Sequence, residues 1–246
     1  MDIFAFPPLT LLLDSAYSAL LALSALLEPI AGSASAALAV VVVTLAVRAA
    51  LIPVGVSQAR AEQLRARLAP RLRTLQQRHG GDRERLQRET LALYRDEQAS
   101  PLAGCLPLAV QAAVVGILYT LFLRPEIAGH PNALLAHDLL GAPLGSSLIS
   151  AMGGGLDAPT ALVWAVVLAV ITIVADITRR VFRPQVPAEG PLATPGMLGV
   201  MNALHYLTAV FAVFVPLAAA LYLVVTVTWT LVQRWVLRRR YPLPAA

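Results

Sequence analysis

The sequence predicts an all-α integral membrane protein with five transmembrane helices, a helical hairpin outside the bilayer between the first two, and an N-terminal interfacial helix. Three observations predict it. Of 246 residues, 58% are apolar and 13% charged, about half the charged share of a soluble domain, and mean hydropathy is +0.70. Apolar runs of about 20 residues, the length a ~30 Å hydrocarbon core demands, recur along the chain. The only long polar stretch, residues 58–100, lies between the first two of those runs. Such a composition leaves too little polar surface to coat a globule in water, which excludes a soluble enzyme and a disordered chain alike.

Residues 1–33 form an external N-terminal segment without arginine, and so without the basic start of a secretory signal peptide. Leu9, Leu13, Ala16, Leu20, Leu23 and Leu27 recur at helical spacing, while Thr10, Asp14, Ser18 and Glu28 favour the other side. This pattern suits a helix in the headgroup plane over 9–28; a sixth span is the rival reading. Pro29 and Gly32-Ser33 are expected to break it. The first span, 34–57, is apolar except for Arg48.

The hairpin occupies 58–100. Leu64, Leu68, Leu72 and Leu75 mark one amphipathic helix, which Pro70 is expected to bend. His79-Gly80-Gly81-Asp82 is a turn, with Asp82 placed to cap a second helix carrying Leu86, Thr90, Leu93 and Tyr94. Ser100 and Pro101 open the second span, 101–123. The external loop, 124–158, is too punctuated by Gly and Pro to cross, and Gly153-Gly154-Gly155 reads as flexible. The third span covers 159–178, a proline-rich linker 179–196, the fourth span 197–215 and the fifth 217–237, with Pro216 turning the chain between the last two. A tail of 238–246 follows.

Arginine placement orients this arrangement. Ten arginines fall in the hairpin, three in the linker and four at the C-terminal end, so 17 of 19 share one side if the chain crosses five times. The positive-inside rule makes hairpin, linker and tail cytoplasmic.

Arg48 is the anomaly. Nine residues before Ser57, it lies roughly 13 Å below the cytoplasmic surface at helical rise, where a guanidinium costs about 2.5–3.5 kcal/mol on insertion scales. Two remedies are open: a buried carboxylate, for which Asp176 is the only acid inside another span, or a hydrated groove. Thr44 shares a face with Arg48, Gln111 lies in the second span, and Thr226, Thr230 and Gln233 share one face of the last. Each alone is an ordinary helix–helix hydrogen bond; with an arginine in need of water they outline a polar interior. The single cysteine, Cys105, and the scattered histidines 79, 130, 137 and 205 signal no metal and no cofactor.

The run Leu45-Ala-Val-Arg48-Ala-Ala-Leu-Ile-Pro53, then Leu68-Ala-Pro70, Leu91-Ala-Leu-Tyr94, Ser100-Pro-Leu-Ala-Gly-Cys-Leu-Pro107 and Gln111 resembles the YidC/Oxa/Alb membrane-protein insertases. His137-Asp138-Leu139 is similar to that family's outer-loop motif, and Pro216 with Leu221-Tyr222 and Gln233 to its last two spans. The chain departs from the pattern at Leu217 and Ala218, at Val227 and at His205. The resemblance implies a groove lined by Arg48, Thr44, Gln111, Thr226, Thr230 and Gln233, open to the cytoplasm and to lipid. Polar client segments pass through it while apolar segments leave into the bilayer, without covalent chemistry or nucleotide.

It also implies nascent membrane proteins as partners, with a ribosome and a Sec-type translocon as further ones, and a bacterial cytoplasmic membrane as location. An absence of lysine agrees with GC-rich bacterial coding. Arg71, Arg73, Arg83 and Arg85 of the hairpin and Arg238, Arg239 and Arg240 of the tail form the expected docking surface, suited to anionic headgroups or ribosomal RNA. A secondary transporter and a membrane-anchored ribosome- or lipid-binding adaptor remain the alternatives.

Overall fold

The computed structural model describes residues 7–97, 106–127, 129–182, 203 and 206–242. Ser100, Pro101, Cys105, the linker prolines, His205 and the first part of the expected fourth span lie outside them. The chain divides into two compact units. One comprises 1–48 and 116–231, the other 49–115 and 232–246.

In the first unit, α1 (Pro7–Ala31) leads through a 3-10 turn (Gly32–Ala34) into α2 (Ser35–Ala50). The helix runs through Pro29, contrary to expectation, and breaks at Gly32, whose φ of +52° few residues but glycine adopt. Ser24 then donates a hydroxyl hydrogen bond to Ser35 at 3.4 Å, so the chain doubles back at the turn. Of the expected apolar stripe of α1, Leu13 and Leu20 are buried and Ala16, Leu23 and Leu27 half-buried, while Tyr17 and Ser24, outside that stripe, are buried beside them. A second stripe, with Leu12, Leu26 and Ile30, is exposed, and Asp14 and Glu28 are exposed on a different side of the helix.

The stretch 124–157 is more ordered than its punctuation suggests. β1 (Glu126–Ile127) pairs with β2 (His130–Pro131), and β3 (Asp138–Leu139) with β4 (Ala142–Pro143), both antiparallel. Gly153 and Gly154, expected to be flexible, end the short helix α6 (Leu148–Gly154), and Gly155 stops it at φ +91°. The loop caps its neighbours with main-chain and amide groups. Asn132 Nδ2 donates to the carbonyls of Leu121 and Arg124, both at 2.9 Å, which end α5 (Leu106–Leu123). The carbonyls of Ser146 and Leu144 accept from the N–H groups of Leu217 and Ala218, at 2.9 and 3.0 Å, where α9 (Leu217–Arg240) begins. Orphan groups at helix ends need such partners when buried. Tyr17 ties α1 to the same cap, its hydroxyl donating to Pro131 O at 3.3 Å and accepting from Ala133 N–H at 2.7 Å.

Between these elements, α7 (Ala158–Val181) buries Thr160, Val163, Trp164, Val167, Ile171 and Val174. After it comes α8 (Leu207–Ala212), which lies within the described part of the expected fourth span. Large residues fill this core: Trp164, Tyr222, Phe122, Leu20 and Leu144 are all nearly inaccessible.

The second unit is built on the hairpin of α3 (Ile52–His79) and α4 (Arg83–Asp96). The helix expected to run unbroken to residue 57 is interrupted at Leu51, and α3 starts at Ile52. Pro53, in the first turn of α3, has no N–H to continue the α2 ladder, and its ring crowds the carbonyl four residues back. Pro70 stays inside α3. The turn and cap match expectation: the Asp82 side chain accepts from Arg85 N–H at 3.0 Å. Leu68 is buried, with Leu64, Leu72, Leu75, Leu86, Thr90, Leu93 and Tyr94 half-buried, as the two stripes require.

Among the described residues, three helical stretches are long and apolar enough to cross a membrane: Leu11–Ala50, Ala158–Val181 and Leu217–Arg240.

Candidate functional site

Helical spacing puts Ala37, Val40, Thr44 and Arg48 on one buried face of α2. Thr44 is inaccessible and spends its hydroxyl locally, donating to Val40 O at 2.6 Å. Arg48, in the last turn of α2, is only 5% exposed. No carboxylate among the described residues comes within ion-pair distance of it.

Asp176 does not serve. Its carboxylate takes Arg179 at 2.8 Å and Arg180 at 2.6 Å from its own helix, and accepts the Tyr206 hydroxyl at 3.2 Å. The ion-pair remedy for Arg48 is therefore set aside. The signal was local, because the two arginines that claim Asp176 are its helical neighbours three and four positions on.

On α9, Thr226 and Thr230 divide their roles. Thr230 is exposed and its hydroxyl turns back to Thr226 O at 2.7 Å. The Thr226 hydroxyl is enclosed and has no hydrogen-bond partner among the described residues. The same holds for Thr228, for the Tyr222 hydroxyl one turn before Thr226, and for Trp164 Nε1 on α7. A buried polar group left unpaired costs about 1–3 kcal/mol, so an interior with several of them favours a polar visitor or water. Tyr222 and Trp164 were missed from sequence because an aromatic in an apolar run reads as core; only the enclosure of their polar atoms sets them apart.

The remaining two expected groove residues belong to the second unit. Gln111 sits in α5, within the part assigned to that unit. The Gln233 amide packs on Gly55 of α3, leaving no room for a Cβ at position 55 unless that amide shifts. Sequence reasoning overlooked this close approach, which pairs two residues 178 positions apart.

The expected docking arginines are unevenly available. Glu97 holds both Arg67 and Arg71, the latter at 2.7 Å. Arg238 reaches Glu62 of α3 at 3.2 Å, and the Arg239 guanidinium stacks 3.6 Å over the Trp235 ring. Arg73, Arg83, Arg85 and Arg240 are exposed. Arg60 and Gln63 also hold the tail, through Tyr241 and Pro242.

Long apolar helices, a separate amphipathic hairpin and an arginine enclosed at a helix end define an α-helical integral membrane protein. The family described as 60Kd inner membrane protein matches residues 26–244, and the chain belongs to that family, which is the YidC/Oxa/Alb group. A membrane protein insertase YidC of Laribacter hongkongensis is 36% identical over 102 residues, 41% of this chain and 18% of the relative. Those of Actinobacillus succinogenes and Histophilus somni are 29% and 28% identical over 203 residues, 82% of this chain and 33% of each relative. The chain thus spans a third or less of the length of these curated relatives.

Proposed function

We propose that the protein is a membrane-protein insertase and chaperone of the bacterial cytoplasmic membrane, working by a hydrated intramembrane groove around Arg48 and making or breaking no covalent bond. The observation that carries this reading is the enclosed Arg48 without a carboxylate partner among the described residues, in a chain of a family whose curated relatives are named insertases. Family membership favours neither the transporter nor the adaptor.

The mechanism follows from desolvation. Each unpaired backbone polar group of a client costs several kcal/mol in hydrocarbon. A guanidinium offers charge-assisted hydrogen bonds to carboxylates and carbonyls of a passing segment. Thr44, Thr226 and Thr230 of the first unit supply further donors and acceptors along the path. Transfer of the client's apolar stretch into lipid drives the process.

The chain crosses five times, with hairpin, linker and tail cytoplasmic. The N-terminal helix lies on the outer face rather than crossing. Tyr17 and the Gly32 turn are about 20 Å apart along α1, yet both meet the loop of β1–β4. Three exposures fit an interfacial site: a face on protein, an apolar face with Leu12 and Ile30, and a polar edge with Asp14 and Glu28. Nascent membrane proteins are the clients, and Arg73, Arg83, Arg85 and Arg240 face a ribosome or Sec-type translocon.

The test replaces Cys105 with serine and places a lone thiol at position 48 in proteoliposomes. A membrane-impermeant thiol reagent from the hairpin side labels it, and crosslinkers at 44, 48, 111 and 230 capture a single-span nascent client. Absence of both, in folded protein whose surface thiols react, refutes the groove.

A further inference from the structure

The first unit carries a second feature that the client path does not use. A groove of about 530 Å³ runs between the outer half of α7 and Leu221 of α9, under the tip of the β3–β4 hairpin. Its walls are apolar throughout, including Leu140, Leu162, Val163, Val166, Val167 and Leu221. This size suits a slender apolar ligand and gives a polar one nothing to bind.

The hairpin tip is chemically odd. Leu140 and Gly141 are the two central turn residues, and both have positive φ, +53° and +89°. Turns of this type ordinarily take Asn-Gly, because a side chain such as leucine is strained there. Leu140 accepts that strain while 71% exposed. Gly141 seats the tip on α7, where a Cβ would meet Pro159 at 3.5 Å, so Leu140 is held over the groove. In water such a leucine has strain and no burial to offset it. In hydrocarbon the exposure becomes a gain.

The groove is continuous with the outward apolar face of α7, where Leu162, Val166, Ile173 and Ile177 are exposed on a helix fit to span the bilayer. We infer that this groove binds one acyl chain of an outer-leaflet phospholipid, with Leu140 as its rim. The inference rests on α7 spanning the membrane with the β3–β4 hairpin on the outer side, as proposed above, and is independent of how clients cross.

The full chain is reconstituted in vesicles of a phosphatidylcholine carrying a mid-chain diazirine, irradiated, and its lipid adducts mapped by mass spectrometry. Adducts are expected to be several-fold denser at Leu140, Val167 and Leu221 than at Ile173 and Ile177, which face lipid outside the groove. Two variants lower the groove adducts to that outer level. Val166→Trp fills the groove from its exposed rim, and Leu140→Gly removes the rim while relieving the backbone, so its melting temperature holds or rises. Adducts spread evenly along α7, or groove adducts unchanged in both variants, overturn the proposal. So does a photocrosslinker at Leu221 that captures a peptide or a second copy of the chain in place of lipid, or groove adducts abolished by equimolar free fatty acid.

Discussion

The Tyr17 hydroxyl accepts the main-chain N–H of Ala133 at 2.7 Å, across 116 residues of sequence. One phenol thereby fixes the N-terminal helix to the loop that closes the first unit. Tyr17→Phe keeps the ring and leaves that N–H unpaired, at a cost of about 1–3 kcal/mol. Thermal unfolding in detergent should show a lowered midpoint, with hydrogen exchange rising first in α1 and at Ala133. An unchanged midpoint and unchanged exchange would reject the anchoring role.

Asn132 does more with one side chain. It donates to the carbonyls of Leu121 in α5 and of Arg124 just beyond it, and accepts from Leu134 N–H at 3.2 Å. Asn132→Ala strands three main-chain groups and should destabilise by at least ~2 kcal/mol. At roughly 2–4 °C per kcal/mol for a chain of this size, a melting curve resolves the loss.

Arg48 separates two accounts by stability alone. Breaking a buried ion pair costs about 3–5 kcal/mol, but no carboxylate pairs with this guanidinium among the described residues. Arg48→Leu should therefore leave the melting temperature unchanged or raised, while insertion of clients with polar tails falls several-fold. A large drop in melting temperature would point to an ion pair after all.

Gly55 and Gln233 should behave as a coupled pair. In a helix, alanine is favoured over glycine by about 1 kcal/mol, yet a Cβ at 55 collides with the Gln233 amide. Gly55→Ala alone should gain little. In a Gln233→Ala background it should stabilise by up to about 1 kcal/mol, a non-additivity that a double-mutant cycle in denaturant measures directly.

Glu97 gathers Arg67 and Arg71 at the end of α4. Both arginines are mostly exposed, so Glu97→Gln should cost no more than about 1 kcal/mol, and less in high salt. Comparing melting curves at low and high ionic strength checks both sign and size.

Legibility followed the range of the interaction. The Asp82 cap and the leucine stripes of the hairpin depend on residues three or four apart, and they stand in the structure as read. The break at Leu51 was hidden because apolarity continues to Val56, although Pro53 carried the signal. On α1 the spacing of Leu13 and Leu20 is legible, whereas Tyr17 and Ser24 acquire meaning only through Ala133 and Ser35. The same applies to the site. Arg48 stands out as a lone cation, and Arg179 and Arg180 sit at the spacing that engages Asp176, but that Gln233 rests on Gly55 required the folded chain.

The cap over α9 has a consequence for how this chain tolerates change. Leu217 and Ala218 are joined to Ser146 and Leu144 through their peptide groups, and both side chains are fully enclosed. The fastening is made by the polymer backbone and asks only that neither position be proline. The filling around it is made by side chains, so a smaller residue in place of Leu217 would leave the seal tied but hollow.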